Sequence, residues 1–295
     1  MSVAVISHTA IDLIEKKGIS VTGVGGPTCY CGLMAKSLDF KVKLVTKIGR
    51  DFPEDFRRLL HERGLTISDD CISATSPSTR FRLVQSDHER ELFLIARCDD
   101  ITDADVVFDA DACILSPIIN EVGIDAFDKI SQQTDFIFLD PQGYVRKVAS
   151  DGRCYIDRTE LMIDKRKINV IKVDEEEAFA LTGMRGIDAL KKLAIKTAIL
   201  TSRNKIAILH EDHVYEITTE LIESTDSTGA GDIFAAAYTC TFVKNGDVKW
   251  SLCSGVAAAT AALKINAMGI SKIPTRKDVE NYASLLHDRM RDRPV

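Results

Sequence analysis

Short apolar runs recur along the chain, separated by stretches in which apolar positions follow helical spacing. The runs Val3–Ser7, Val42–Gly49, Ala112–Ser116, Phe136–Asp140, Asn169–Asp174, Thr197–Ser202, Lys205–His210 and His213–Thr218 each predict a strand. The middle runs are rich in β-branched residues and apolar at both odd and even positions. A strand with one wet face alternates, so this pattern predicts strands covered on both faces, as in a parallel sheet.

Between the runs, Pro53–Gly64 opens on proline and closes on glycine, which is sound start and stop chemistry for a helix. Glu121–Gln133, Glu175–Leu181 and Ile187–Ile195 fill other gaps. From Gly229 to Ile265 the pattern is helical, with a break near Asn245-Gly246-Asp247, and Thr275–Arg291 predicts an amphipathic closing helix. This alternation predicts one α/β domain over residues 1–295, built on a doubly wound, mostly parallel sheet. Two segments depart from it. Residues 78–98 alternate polar and apolar around a turn near Ser86-Asp87-His88, and residues 10–23 turn at Lys17-Gly18. Both predict hairpins, read either as a lid inserted into the domain or as an extension of a sheet edge.

Composition narrows the partners. The chain has 295 residues, is 45% hydrophobic and 28% charged, and carries a net charge of -6. It has no Lys/Arg block, so no nucleic-acid or membrane surface is expected. Any bound phosphate must therefore be held locally, by amides, a metal or single basic side chains. The eight cysteines are scattered, and Met1 leads straight into Ser2–Ser7 without a basic leader. Reduced thiols and a cytoplasmic setting are expected.

The stretch STDSTGAGDIFAAAY, Ser224–Tyr238, carries the sharpest chemistry. Ser, Thr, Asp or Gly before an apolar helix is an ordinary helix start. Here Asp226, Ser227 and Thr228 already supply caps, and two further glycines cost helix stability. First-turn amides lack intrahelical acceptors and attract anions, and glycine lets a phosphate approach. Both readings, a capped core helix and an anion site with Asp232 as a base beside it, stand at this point. Competing motifs fail. There is no G-x-x-x-x-G-K-[ST] and no G-x-S-x-G, the third glycine of a dinucleotide loop over Gly23–Gly32 falls at Thr28, and the six histidines do not cluster.

DSTGAGD resembles the signature of the ribokinase-like, phosphofructokinase-B-type carbohydrate kinases, D-[ST]-x-G-A-G-D at a helix start. Gly25-Gly26 resembles that family's N-terminal di-glycine. TKIGRDFPEDF resembles its V-G-x-D-x-x-G segment at Gly49 and Asp51, and VDEEEA its N-x-x-E segment. The resemblance implies ATP and Mg²⁺ and leaves a monovalent cation open. It implies Asp232 as general base, the amides of Gly229, Ala230 and Gly231 as an anion hole, and Asp174 and Glu177 holding Mg²⁺ through water. Asp12, Gly25 and Gly26 fall on the acceptor side, and Asp226, Thr201 and Asn266 on the nucleotide side. Arg203 reads either as an ATP-phosphate contact or as a solvated hairpin turn. Both hairpins would form the lid, through which members of the family often dimerise.

Departures mark this chain. The asparagine after the di-glycine becomes Tyr30, the Asn of N-x-x-E becomes Asp174, and the last glycine of V-G-x-D-x-x-G becomes Glu54. FLDPQGYVRK resembles the inositol kinases of the family, with Gln142 and Arg146 at the spacing of the polyol contacts; the bland reading is a structural loop. The resulting expectation is a kinase for a small polyol or sugar, first myo-inositol or a related cyclitol. A sugar or nucleoside kinase and a non-catalytic ligand-binding relative are the alternatives.

Overall fold

The computed structural model describes residues 1–16, 18–86, 90–222, 224 and 226–294. Among these, a nine-stranded sheet runs in the order Arg291–Pro294, His213–Thr218, Lys205–His210, Thr197–Thr201, Val170–Asp174, Ile137–Leu139, Ala112–Leu115, Ser2–Ile6, Lys41–Val45. The six strands from Thr197–Thr201 to Lys41–Val45 are parallel, and the other three add antiparallel edge pairings. The doubly apolar runs have the expected cause. Val3 and Val5 enter one core with Tyr30, Phe234 and Tyr238, while Ala4 and Ile6 enter the opposite core with Phe127 and Leu190.

The helix Ala230–Asn245 ends at Gly246 (φ 68°), a left-handed stop that glycine takes without strain. Asp247 then caps Val248–Lys264 by accepting from the Trp250 amide. Three boundaries differ from the sequence reading. Val42–Gly49 is not one strand: pairing stops at Val45, where Thr46 turns its hydroxyl to the Thr9 amide, and Ile48–Gly49 pairs instead with Ile72–Ser73. The expected helix over Glu121–Gln133 covers only Ile124–Ile130, because Glu121 turns inward to collect loop amides. Thr275–Arg291 is helical only over Arg276–His287, after which Arg291–Pro294 joins the sheet edge.

The two hairpins do not extend the main sheet. They merge into a separate four-stranded sheet, Ile19–Gly25, Ala10–Lys16, Arg80–Gln85, Arg90–Ala96, in which Ala10–Lys16 and Arg80–Gln85 pair in parallel. The turn residues Lys17, Asp87 and His88 lie outside the described residues. The helix Pro27–Ser37 begins directly after the di-glycine. It has no counterpart in the sequence reading, because its residues Pro27–Ala35 are all buried and show no amphipathic stripe.

Candidate active site

Asp232 is the third residue of the helix Ala230–Asn245, and Gly229 is its N-cap with φ 75°. That backbone favours glycine. The ring of Tyr30 packs beneath Gly229 and leaves no room for a side chain, and a Cβ on Gly231 would meet Lys172 Nζ at 3.2 Å. Packing as well as anion access therefore explains the glycines. The helix start still presents first-turn amides and the positive end of the dipole. Of the three amides expected to hold an anion, that of Ala230 already donates to the Ser227 carbonyl at 3.3 Å.

Asp232 is 8% exposed, and its Oδ1 is a buried oxygen without a hydrogen-bond partner. Its own carbonyl accepts from Cys31 Sγ at 3.3 Å, which fixes the first helical turn against Pro27–Ser37. Burial, and then the negative charge of Asp140, push the carboxyl up to about 7. A carboxyl poised there with an unused lone pair is suited to accept a proton near neutral pH.

Asp232 stands where two cavities meet. Under the lid, a cavity of about 110 Å³ is lined by Asp12, Phe81, Leu83, Arg90 and Leu92 from the lid sheet and by Tyr30, Gln142 and Arg146 from below. Beside it, a polar cavity of about 480 Å³ contains Asp140, Lys172, Asp174, Glu177 and Thr201. Gly229 and Asp232 line both. A third cavity, of about 210 Å³, shares Thr201 and Gly231 with the second and is walled by Ile206, Ile222, Phe234, Val256 and Leu263.

Gln142 and Arg146 lie one helical turn apart on the short helix Gln142–Val145 and its end. Arg146 donates to Gln142 Oε1 at 3.2 Å and to the Ile118 carbonyl at 2.5 Å, and Gln142 Nε2 donates to Ser116 Oγ at 3.2 Å. The guanidinium also lies 5.7 Å from the Phe81 ring centroid, so the lid rests on it. Glu121 fixes the Ile118 loop, accepting from the amides of His8, Ile118 and Ile119. Asp12 faces the same cavity, and burial pushes it up to about 7 against the opposing charge of Arg90.

On the other side, Asp174 and Glu177 form a capping box. Asp174 Oδ1 accepts from the amides of Glu176 and Glu177, and Glu177 Oε2 accepts from the Asp174 amide. Their other oxygens, Oδ2 and Oε1, are not used by the box. Burial and Asp140 push Glu177 up to about 8. Lys172 Nζ lies 2.7 Å from Asp140. Burial works against its charge, but Asp140 and Glu177 outweigh this and raise its pKa. Among the described residues no group of three or more His, Cys, Asp or Glu side chains is placed to hold a metal directly. Two carboxylates with one oxygen each to spare fit a cation held through water.

The expected nucleotide-side residues separate: Asp226 and Asn266 line none of these three cavities, whereas Arg203 and Thr201 border the third. Asp226 is turned into the protein, with both carboxylate oxygens engaged by Thr228, Gly269 and Lys272. Arg203 occupies the turn between Thr197–Thr201 and Lys205–His210 and borders the apolar cavity rather than the polar one. Asn266 follows the helix Val248–Lys264 and is not on the wall of that cavity. Thr201 borders both cavities, and its hydroxyl donates to the Val173 carbonyl at 3.3 Å. Sequence reasoning missed Arg90, which reaches from the lid to Ser227 and Thr228 at 3.3 Å each. It also missed Lys172, although a lysine inside the apolar run NVIKVD was a legible signal.

The sequence profile of the pfkB family carbohydrate kinases matches residues 2–276. A cytidine kinase of Thermococcus kodakarensis is 24% identical over 280 residues, covering 90% of this chain and 96% of that one. The sulfate complex of a pyrophosphate-dependent kinase in the ribokinase family superposes with a TM-score of 0.81 at 20% identity, over 95% of this chain and 99% of that one. A pyrophosphate-dependent myo-inositol-1 kinase converted into a myo-inositol-3 kinase by two substitutions to leucine superposes with a TM-score of 0.81 at 21% identity, over 97% and 99%.

Proposed function

The chain belongs to the pfkB family of carbohydrate kinases, and from that premise we propose that it transfers the γ-phosphoryl group of ATP to a hydroxyl of a small cyclitol, myo-inositol first. The observation that carries this reading is the unpartnered Oδ1 of Asp232 at the junction of the lid cavity and the polar cavity. The acceptor hydroxyl gives its proton to Asp232 as its oxygen attacks the γ-phosphorus. The bond from that phosphorus to the bridging oxygen breaks, and ADP leaves. Free first-turn amides and the helix dipole stabilise charge on the transferring group. Lys172 adds a fixed positive charge beside Gly231. Mg²⁺ bound to the nucleotide would neutralise phosphate charge, with Asp174 and Glu177 holding it through water.

The apolar third cavity supports a nucleotide donor, since a base-sized apolar wall has no task if the donor is pyrophosphate alone. On the acceptor side, Asp12, Gln142, Arg146 and Asp232 converge on one small cavity, as a ring of hydroxyls requires. Leu83 and Leu92 are directly opposed across the lid strands and face the same cavity.

A nucleoside acceptor is the second reading. Phe81, Leu83 and Leu92 offer an apolar face for a base, and the cytidine kinase relative agrees with it. ATP consumption measured against cyclitols, hexoses, pentoses and nucleosides separates the two. The highest kcat/KM is expected with myo-inositol. A nucleoside in first place would replace the acceptor assignment. No turnover with any class would favour a ligand-binding relative.

A further inference from the structure

Lys272 is fully buried beneath the loop that leads into Gly229. Its Nζ lies 3.0 Å from Asp226 Oδ2 and donates to the Asp226 carbonyl at 2.8 Å. The Tyr30 ring centroid is 5.9 Å away. Asp226 is the knot of this loop. Its Oδ1 accepts from the Thr228 amide at 2.8 Å, its Oδ2 accepts from the Gly269 amide at 2.9 Å, and its carbonyl also accepts from Ser224 Oγ at 2.9 Å. The ammonium therefore ties the segment Gly269–Lys272 to the segment that sets the Gly229 turn. A lone ion would not survive in so dry a place, but here each charge has its partner. Burial pushes Asp226 up, yet Lys272 and the amides hold it below the usual carboxylate range.

A carboxylate oxygen and a carbonyl oxygen converging in a dry pocket are the donors a monovalent cation seeks. In this chain those two oxygens already hold an ammonium, so a free cation does not fit between them. We propose that Lys272 is a tethered cation, a positioning residue that holds the anion loop in its working shape without any monovalent ion from solution. The proposal rests on the reading of Gly229–Asp232 as the phosphoryl site of a kinase.

The test compares acceptor-dependent ATP turnover with K⁺, Na⁺ or tetramethylammonium as the sole monovalent cation. Wild-type rates are expected to agree within roughly twofold, and an activation by K⁺ of about tenfold or more overturns the proposal. Lys272→Met removes the charge at similar length. It is expected to lose most turnover in kcat and to regain part of it with K⁺ or NH₄⁺. Its Tm should rise with K⁺ or NH₄⁺ while that of wild type does not. A variant with wild-type turnover, or one whose Tm and rate ignore both ions, counts against the proposal. The wild-type comparison stands even if the variant does not fold. The Tm series needs no turnover, so it still reports on the cation if the kinase reading fails.

Discussion

The carboxylate of Asp12 lies on the bare α-carbon of Gly25: a Cβ there would stand 1.8 Å from Asp12 Oδ2. Gly25 thus makes room for Asp12, the acid proposed for the acceptor side, whereas Gly26 (φ 86°) is pressed against the His8 carbonyl. Gly25→Ala must displace Asp12. The expected outcome is an acceptor KM raised about tenfold or more with the ATP KM nearly unchanged, measured by steady-state kinetics. Equal effects on both KM values would contradict this placement.

Gln142 and Arg146 share a hydrogen bond, and each is anchored just beyond the strand Ala112–Leu115, Gln142 at the Ser116 hydroxyl and Arg146 at the Ile118 carbonyl. Each single alanine variant should raise the acceptor KM. The double variant should cost less than the sum, with a coupling energy of about 1 kcal/mol in a double-mutant cycle. Strict additivity would mean that the two side chains meet the acceptor independently or not at all.

The raised carboxyls set a pH dependence with a definite sign. Asp232 must be ionised to accept a proton, so kcat/KM should rise with pH and reach half its plateau near 7. A profile flat from about pH 5 to 9 would remove Asp232 as the base. Stability should move the other way. A carboxyl whose folded pKa lies above its unfolded value contributes stability below the unfolded value and loses it as pH rises through the folded one. The wild-type Tm should therefore fall between about pH 4 and 8, and Asp232→Asn should be the more stable protein at pH 8.

Glu121 is fully buried and receives amides from three residues, with His8 beside it. Burial opposes its charge, but His8 and those amides hold its pKa below the usual range. Glu121→Gln puts an NH₂ where acceptors are needed. A loss of about 3 kcal/mol in urea unfolding is expected, together with a raised acceptor KM because Ile118 anchors Arg146. A loss under about 0.5 kcal/mol would show that the amides do not depend on the charge.

What the sequence made legible was local. DSTGAGD, the break at Gly246 and the doubly apolar strands all depend on near neighbours in the chain, whereas the capping box of Asp174 and Glu177 came only with the structure. The parallel pairing of Ala10–Lys16 with Arg80–Gln85 joins segments far apart and leaves no periodic trace. Pro27–Ser37 was invisible because all-round burial erases the stripe that marks a helix. Asp226 looked like a ligand contact because its partner Lys272 reads in sequence as any surface lysine. Gly229 looked like a phosphate glycine, and only the structure shows Tyr30 beneath it.

The most direct test of phosphoryl transfer at Asp232 is kcat for Asp232→Asn with the best acceptor, alongside ATP affinity measured by calorimetry. A fall in kcat of about a hundredfold to ten-thousandfold with ATP affinity kept within roughly threefold is the predicted result. Turnover near the wild-type rate in a variant that still binds ATP would contradict it.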